Sequence, residues 1–262
     1  MNTGKSRTII FIHGLFYNAS YWDAWVNYFK SSGYRCYTPV YPFHEGNPAE
    51  LRKKPDPKLA QVTLGDVVNT IALFIDALPE KPILVGHSMG GLVVQKLISM
   101  NKGVAGVCIG SAPPKGIFSF KWSFLKSNLP LINPFKGNSI CLPDIEWFKY
   151  AVFNLLSSEQ AVLEYEKYVV PESRNIPRGS TGKDGKINFN EAHAPLLFIV
   201  GEKDQIIPSG LNDKNFRAYK DGASRTDFKL FKDRTHHICG EKNWEEVANY
   251  ISEWLKDSTA KG

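Results

Sequence analysis

Six residues, Gly86-His87-Ser88-Met89-Gly90-Gly91, constrain this chain more than any others. They join two segments of opposite character. Before them, Ile83, Leu84 and Val85 make a short apolar run bounded by Pro82 and Gly86, the mark of a buried strand. After them, Leu92, Val93, Val94, Leu97 and Ile98 recur at helical spacing. A strand that becomes a helix within so few residues needs a tight turn. Glycine at 86 and at 90 removes the side chains that would collide where the two elements approach. A fold holding this unit needs a buried strand with its carboxyl end open and a helix packed back against it.

The rest of the chain repeats that alternation. Apolar β-rich runs at 8–12, 35–40, 82–86, 104–109, 196–200 and 227–231 read as buried strands. Amphipathic stretches near 20–31, 62–78, 89–101, 211–220 and 243–256 read as helices. Strands separated by helices imply the α/β class: a mostly parallel, doubly wound sheet with helices on both faces. A length of 262 residues suits one such domain. The alternation breaks over 113–192, which holds no convincing buried strand. That stretch is dense in aromatics, among them Phe118, Phe120, Trp122, Phe124, Phe135, Trp147, Phe148, Tyr165 and Tyr168, with helical patches near 144–156 and 158–168. Residues 174–190, with Gly179, Gly182 and Gly185, read as a flexible loop. The expected organisation is a core domain from 1–112 and 193–262, with 113–192 inserted as a helical cap or lid. The plainer alternative is a set of peripheral core helices.

Composition removes several function classes. The formal net charge is +6, but the basic residues are scattered. Their densest cluster, Arg52-Lys53-Lys54 with Lys58, sits among Pro55 and Pro57 as a solvated loop, so no nucleic-acid partner is expected beyond a mild attraction for anionic surfaces. No apolar run approaches the ~20 residues of a bilayer span, so no transmembrane segment is expected. The first seven residues lack the apolar region and cleavage site of a signal peptide, and a cytoplasmic location is the expectation. Cys36, Cys108, Cys141 and Cys239 form no CxxC pair and match no zinc spacing. Cys36 and Cys108 are expected as small core residues, in keeping with a reducing compartment.

The Gly86–Gly91 turn carries chemistry. It raises the Ser88 hydroxyl from the strand end into a cleft and turns the Met89 amide inward beside a helix N-terminus, which favours negative charge. A serine hydroxyl needs a base. The histidines are His13, His44, His87, His193, His236 and His237. In a doubly wound sheet the base belongs on the loop after the last strand, where Thr235-His236-His237 stands. Gly240 and Glu241 lead from there into a helix and favour His236, leaving His237 to pack, cap or contact substrate. The imidazole needs an orienting carboxylate. Asp204, after the penultimate strand, is favoured over Glu202 and Asp233. A tetrahedral intermediate needs two amide donors. Met89 supplies one, and Leu15, after His13-Gly14, supplies the other in preference to Phe16. His13 braces that loop. Phe16, His87 and His237 are the candidate substrate-binding residues.

These motifs, at 9–16, 86–91, 201–208 and 235–255, together resemble the α/β-hydrolase superfamily, in particular its lid-bearing serine esterase and lipase-like members. The resemblance implies a triad of Ser88, Asp204 and His236, in the family's chain order, with an oxyanion hole from Leu15 and Met89. It calls for no metal and no organic cofactor. Ser88 where haloalkane dehalogenases carry Asp excludes that activity. The short lead into the first strand implies that the family's N-terminal hairpin is reduced or absent, and Thr235 stands where Gly is common. The expected activity is hydrolysis of carboxylic esters through an acyl-enzyme on Ser88. The expected substrate is a small-molecule ester with apolar surface: an acyl ester, a lactone, a macrocyclic ester or a xenobiotic ester. Lys115, Lys121, Lys126 and Arg178 are available to an acidic group, although a solvated surface role is plainer. The scaffold also serves acyltransferases, C–C hydrolases, hydroxynitrile lyases and cofactor-free haloperoxidases. A triad-retaining ligand receptor and a non-catalytic scaffold are the rivals from other classes.

Overall fold

The computed structural model describes residues 6–258. Residues 1–5, most of the segment read for a targeting signal, lie outside them. In chain order the strands and helices are β1 (Thr8–Ile12), α1 (Asp23–Ser31), β2 (Arg35–Tyr37), α2 (Pro48–Lys53), α3 (Leu64–Asp76), β3 (Ile83–His87), α4 (Met89–Ser99) and β4 (Ala105–Ile109). There follow α5 (Trp122–Ile132), β5 (Ile140–Cys141), α6 (Ile145–Ala151), α7 (Ser158–Tyr168), β6 (Glu172–Ser173) and α8 (Asn175–Gly179). The chain ends with β7 (Leu196–Gly201), α9 (Ser209–Phe216), β8 (Thr226–Phe231) and α10 (Glu245–Ser258).

Six strands form one sheet in the order β2-β1-β3-β4-β7-β8, and every pairing in it is parallel. The sequence explains why. β1, β3, β4 and β7 are mainly apolar and buried along their whole length, as a sheet covered on both faces requires, whereas β2 and β8, also expected to be buried, are the sheet's two edge strands and are mostly exposed or half-buried. Side chains alternate between two cores. Ile10, Ile12, Leu84, Cys108, Leu196 and Phe198 meet α3, α4 and α9 on one face. Ile9, Phe11, Ile83, Val85, Val107, Leu197 and Ile199 meet α1 and α10 on the other. The strand expected over 35–40 is shorter than the pattern implied. It ends at Tyr37 because Pro39 has no N–H for the ladder.

Strand order places the functional end of the sheet. The chain leaves β1 for β2 on one side, then returns to build β3 on the other. Ligands in such sheets bind outside the carboxyl ends of the strands at this switch point. There β1 runs into His13-Gly14-Leu15 and β3 runs into Ser88.

Between β4 and β7 the chain adds nothing to the main sheet. It builds α5 to α8 and a small antiparallel pair, β5 with β6. Capping side chains start two of these helices: Asp144 caps α6, and Ser157 with Gln160 forms a capping box on α7. The expected loop at 174–190 is corrected at its start. Ile176 and Pro177 are buried, and the backbone there forms α8, which packs on α3. Helix α5 carried no periodic signal because it is apolar on both faces. Among the described residues, no helix is long and apolar enough to cross a membrane.

Candidate active site

Ser88 sits between β3 and α4 with φ 58° and ψ −119°. A non-glycine residue held there stores backbone strain of roughly 1–3 kcal/mol, which persists only where the surroundings enforce it. They do. Its amide donates to the Ile109 carbonyl at 2.8 Å, and its carbonyl accepts from Gly91 and Ala112, both at 2.9 Å. The neighbouring glycines are obligatory. A Cβ on Gly86 would lie 2.2 Å from the Gly90 carbonyl oxygen, and one on Gly90 would lie 2.2 Å from that of Ile12.

Asp204 and His236 arrive on two loops that close on each other. Beyond β7 and β8, Glu202 N–H donates to Phe231 O at 2.9 Å and Lys203 N–H to Arg234 O at 2.8 Å. Asp204 Oδ1 accepts the Ile207 amide at 2.7 Å, which fixes the carboxylate. Its Oδ2 lies 2.6 Å from His236 Nδ1, with both side chains buried. A carboxylate only accepts, so Nδ1 is the ring nitrogen that donates to it. Gly110, which follows β4, holds this pair close: a Cβ there would lie 3.3 Å from His236 Nδ1 and 3.5 Å from Asp204 Oδ2. Because Ile109 holds the Ser88 amide, the serine turn and the His236–Asp204 pair share one wall. Glu202 and Asp233 face outward, and both contact Lys203.

Three further groups brace this arrangement. His87 places Nε2 2.7 Å from the His236 carbonyl, which accepts its proton, and the two rings lie 4.7 Å apart. Burial, and then the neighbouring His236 and His237, push the His87 pKa well below the usual histidine value, so a neutral ring stands beside His236. Glu241 accepts from both the amide and the hydroxyl of Thr235, and that hydroxyl accepts the His237 amide at 3.0 Å. Its carboxylate therefore shapes the turn that presents His236. The sequence had marked Glu241 only as part of a loop pattern. The third brace is His13: Nδ1 donates to Gly14 O at 2.9 Å and Nε2 accepts the Tyr41 amide at 3.2 Å. Burial, then the charge of His44, holds its pKa at about 3.

The loop after β1 is pressed onto the elbow. A Cβ on Gly14 would lie 2.7 Å from that of Ser88. Phe16, at φ 66°, gives its carbonyl to Val170 N–H at 2.9 Å and its ring to Trp147 and Phe148. Leu15 and Met89 border a cavity of about 150 Å³ in front of Ser88. Ala112, Ile117, Phe118, Phe124, Ile206 and Ile207 make most of its apolar wall. Asn128 Nδ2, also on that wall, donates to Ile206 O at 2.8 Å and so ties α5 to the Asp204 loop. Met89 opens α4, where the first amides of a helix have no intrahelical acceptor.

Phe16, His87 and His237 lie outside the lining of this cavity, and all three are buried. His237 points towards the insertion: Nε2 is 3.1 Å from Glu164 on α7, and Nδ1 is 3.4 Å from the Tyr21 hydroxyl.

Comparison with solved structures returns the same architecture. A monoacylglycerol lipase from Paleococcus ferrophilus is 22% identical with a TM-score of 0.71, covering 97% of this chain and 96% of the lipase. A methylesterase from Arabidopsis is 14% identical with a TM-score of 0.69, covering 95% of this chain and 98% of that one. An extracellular alpha/beta-hydrolase from a Paenibacillus species is 22% identical with a TM-score of 0.69, covering 94% and 98%. Comparison with curated proteins finds no match. Likenesses at these identities speak for the fold alone. The sequence itself matches the alpha/beta hydrolase family over residues 9–250, from the first strand into the last helix, and the chain therefore belongs to that family.

Proposed function

We propose that this chain is a serine hydrolase that cleaves carboxylic esters through an acyl-enzyme on Ser88, with His236 as base and Asp204 as its orienting carboxylate. One observation carries the reading: a strained, enforced serine turn shares a wall with a buried His236–Asp204 pair at 2.6 Å. His236 Nε2 takes the hydroxyl proton as Ser88 attacks the ester carbonyl. The charge that develops on the carbonyl oxygen lies against the amides of Leu15 and Met89. His236 then returns the proton to the leaving alcohol, and water activated by the same nitrogen releases the acid. His87, Glu241 and His237 are positioning residues, since each acts through the loop that carries His236.

The segment 113–192 is read as the cap of this site, because residues 113–118, Phe124, Asn128, Ile132 and Pro177 line the cavity together with Ser88. A mainly apolar space of about 150 Å³ suits an acyl or aryl group of moderate size; an engineered apolar cavity of about 150 Å³ binds benzene. The names of the structural neighbours, a monoacylglycerol lipase and a methylesterase, support ester chemistry. A fluorophosphonate probe and a panel of p-nitrophenyl esters test the reading. The probe is expected to label Ser88. Ser88→Ala is expected to lose the label and on the order of 10³–10⁶ in turnover. Near-full turnover by purified Ser88→Ala would remove the proposal.

A further inference from the structure

Helix α5 turns a second face, with Trp122 and Leu129 on it, largely to solvent among the described residues. Phe124, Ser127 and Leu131 point inward and are buried. Trp122, Lys126 and Leu129 fall on the opposite side at helical spacing, with Lys126 Nζ 3.7 Å above the Tyr150 ring. Trp122 is 73% exposed and Leu129 54%. The flanking chain continues the surface: Phe120 is 85% exposed and Phe135 96%, and Phe118, 46% exposed, packs its ring 5.0 Å from that of Phe120. A monomer has no reason of packing to present so many large rings in one segment.

The charge of the segment is equally one-sided. Residues 115–136 contain Lys115, Lys121, Lys126 and Lys136, all exposed, and no Asp or Glu. Lys214 adds a fifth cation, with Nζ 3.4 Å from the Phe118 carbonyl. The surface is held firmly. Arg174 and Arg178 donate to carbonyls at the end of α5 and in the turn beyond it, including Leu131 at 3.1 Å and Gly137 at 2.6 Å. It also adjoins the cavity, since Lys115 and Phe118 line that space together with Ser88.

Exposed Trp and Phe interleaved with Lys, without acidic residues, match the chemistry of an anionic bilayer surface, where rings settle at headgroup depth and ammonium groups meet acidic headgroups. A second copy of this chain fits less well. A two-fold contact through the same face would set these lysines against their own equivalents. We propose that the face formed by α5 and its flanks docks the protein onto anionic lipid, with the mouth of the Ser88 cavity turned towards the membrane. This holds whatever reaction Ser88 performs.

The test is sedimentation of the full chain with unilamellar vesicles. Binding is expected to phosphatidylcholine vesicles containing phosphatidylglycerol, and to weaken at least about tenfold on pure phosphatidylcholine or in high salt. Two triple variants separate the contributions. Phe120→Ser/Trp122→Ser/Phe135→Ser and Lys121→Gln/Lys126→Gln/Lys136→Gln should each lower the partition at least about tenfold. Both should keep the parent's thermal melt and its turnover of a soluble short-chain ester. Failure to bind anionic vesicles, equal binding to neutral ones, or binding unaffected by either variant would overturn the proposal. So would self-association that the aromatic variant abolishes in the absence of vesicle binding, which would assign the face to a second copy.

Discussion

At the residue scale, proton placement rests on which atoms can donate. Asp204 Oδ1 is occupied by the Ile207 amide, so Oδ2 alone meets His236 Nδ1. Replacing this carboxylate by an amide preserves shape and reverses the polarity. With Asp204→Asn, the amide can donate to Nδ1, which moves the ring proton to Nε2 and removes the base. Turnover of a p-nitrophenyl ester at neutral pH is expected to fall by on the order of 10⁴. The melting temperature should move little by comparison. A variant retaining a tenth of the parental rate would show that Asp204 does not orient the base.

At the element scale, the controlling quantity is the separation between β3, α4 and the end of β1. The glycines there leave room for backbone and nothing more. A Cβ on Gly90 would meet Ile12 O at 2.2 Å and His13 O at 2.6 Å, and neither can give way without opening the sheet. Gly90→Ala is therefore expected to destabilise by on the order of 3 kcal/mol or more and to abolish activity. Gly210, in α9, offers a contrast: a Cβ there meets nothing within 4 Å, and its φ is not positive. Gly210→Ala is expected to stabilise by about 0.4–1 kcal/mol, through helix propensity and a less free unfolded chain. Urea unfolding of the two variants checks both signs. Equal effects would mean that backbone approach is not what holds the elbow.

At the scale of the whole molecule, a buried charge contact ties β6 to the chain beyond β2. His44, beyond β2, places Nδ1 3.0 Å from Pro42 O and Nε2 3.2 Å from Glu172 Oε2 on β6, with both side chains 1% exposed. Burial alone would lower the His44 pKa, but the adjacent Glu172 carboxylate outweighs it, and the net shift is upward. The folded value therefore exceeds the unfolded one of ~6.5. The contribution to stability is fully present below that pH and is lost as pH rises through the folded value. The melting-temperature gap between the parent and Glu172→Gln is expected to be widest near pH 6 and to narrow as pH rises above 7. A gap independent of pH would show that His44 carries no charge in the fold.

Much of this molecule was legible in one dimension. Strands buried on both faces announce themselves as mainly apolar runs, since an unpaired polar group is costly on either side, and Gly-x-Ser-x-Gly between a strand and a helix leaves the chain few backbone solutions. Local pattern could not show α5, whose two apolar faces and internal Pro130 erase the helical period. Nor could it choose between neighbours. His236 and His237 are adjacent in sequence, yet one faces Asp204 and the other Glu164. Gly110, the Glu241-shaped turn and α7 decide that division, and they come from distant parts of the chain. By itself the sequence determined where the strands lie and which loop carries each polar group, because strand pattern and turn chemistry act over a few residues, while the edge position that leaves β2 and β8 partly open came from the sheet order. Which groups touch was left to the tertiary structure, because hydrogen bonds and ion pairs act over about 3 Å and only packing brings distant segments that close.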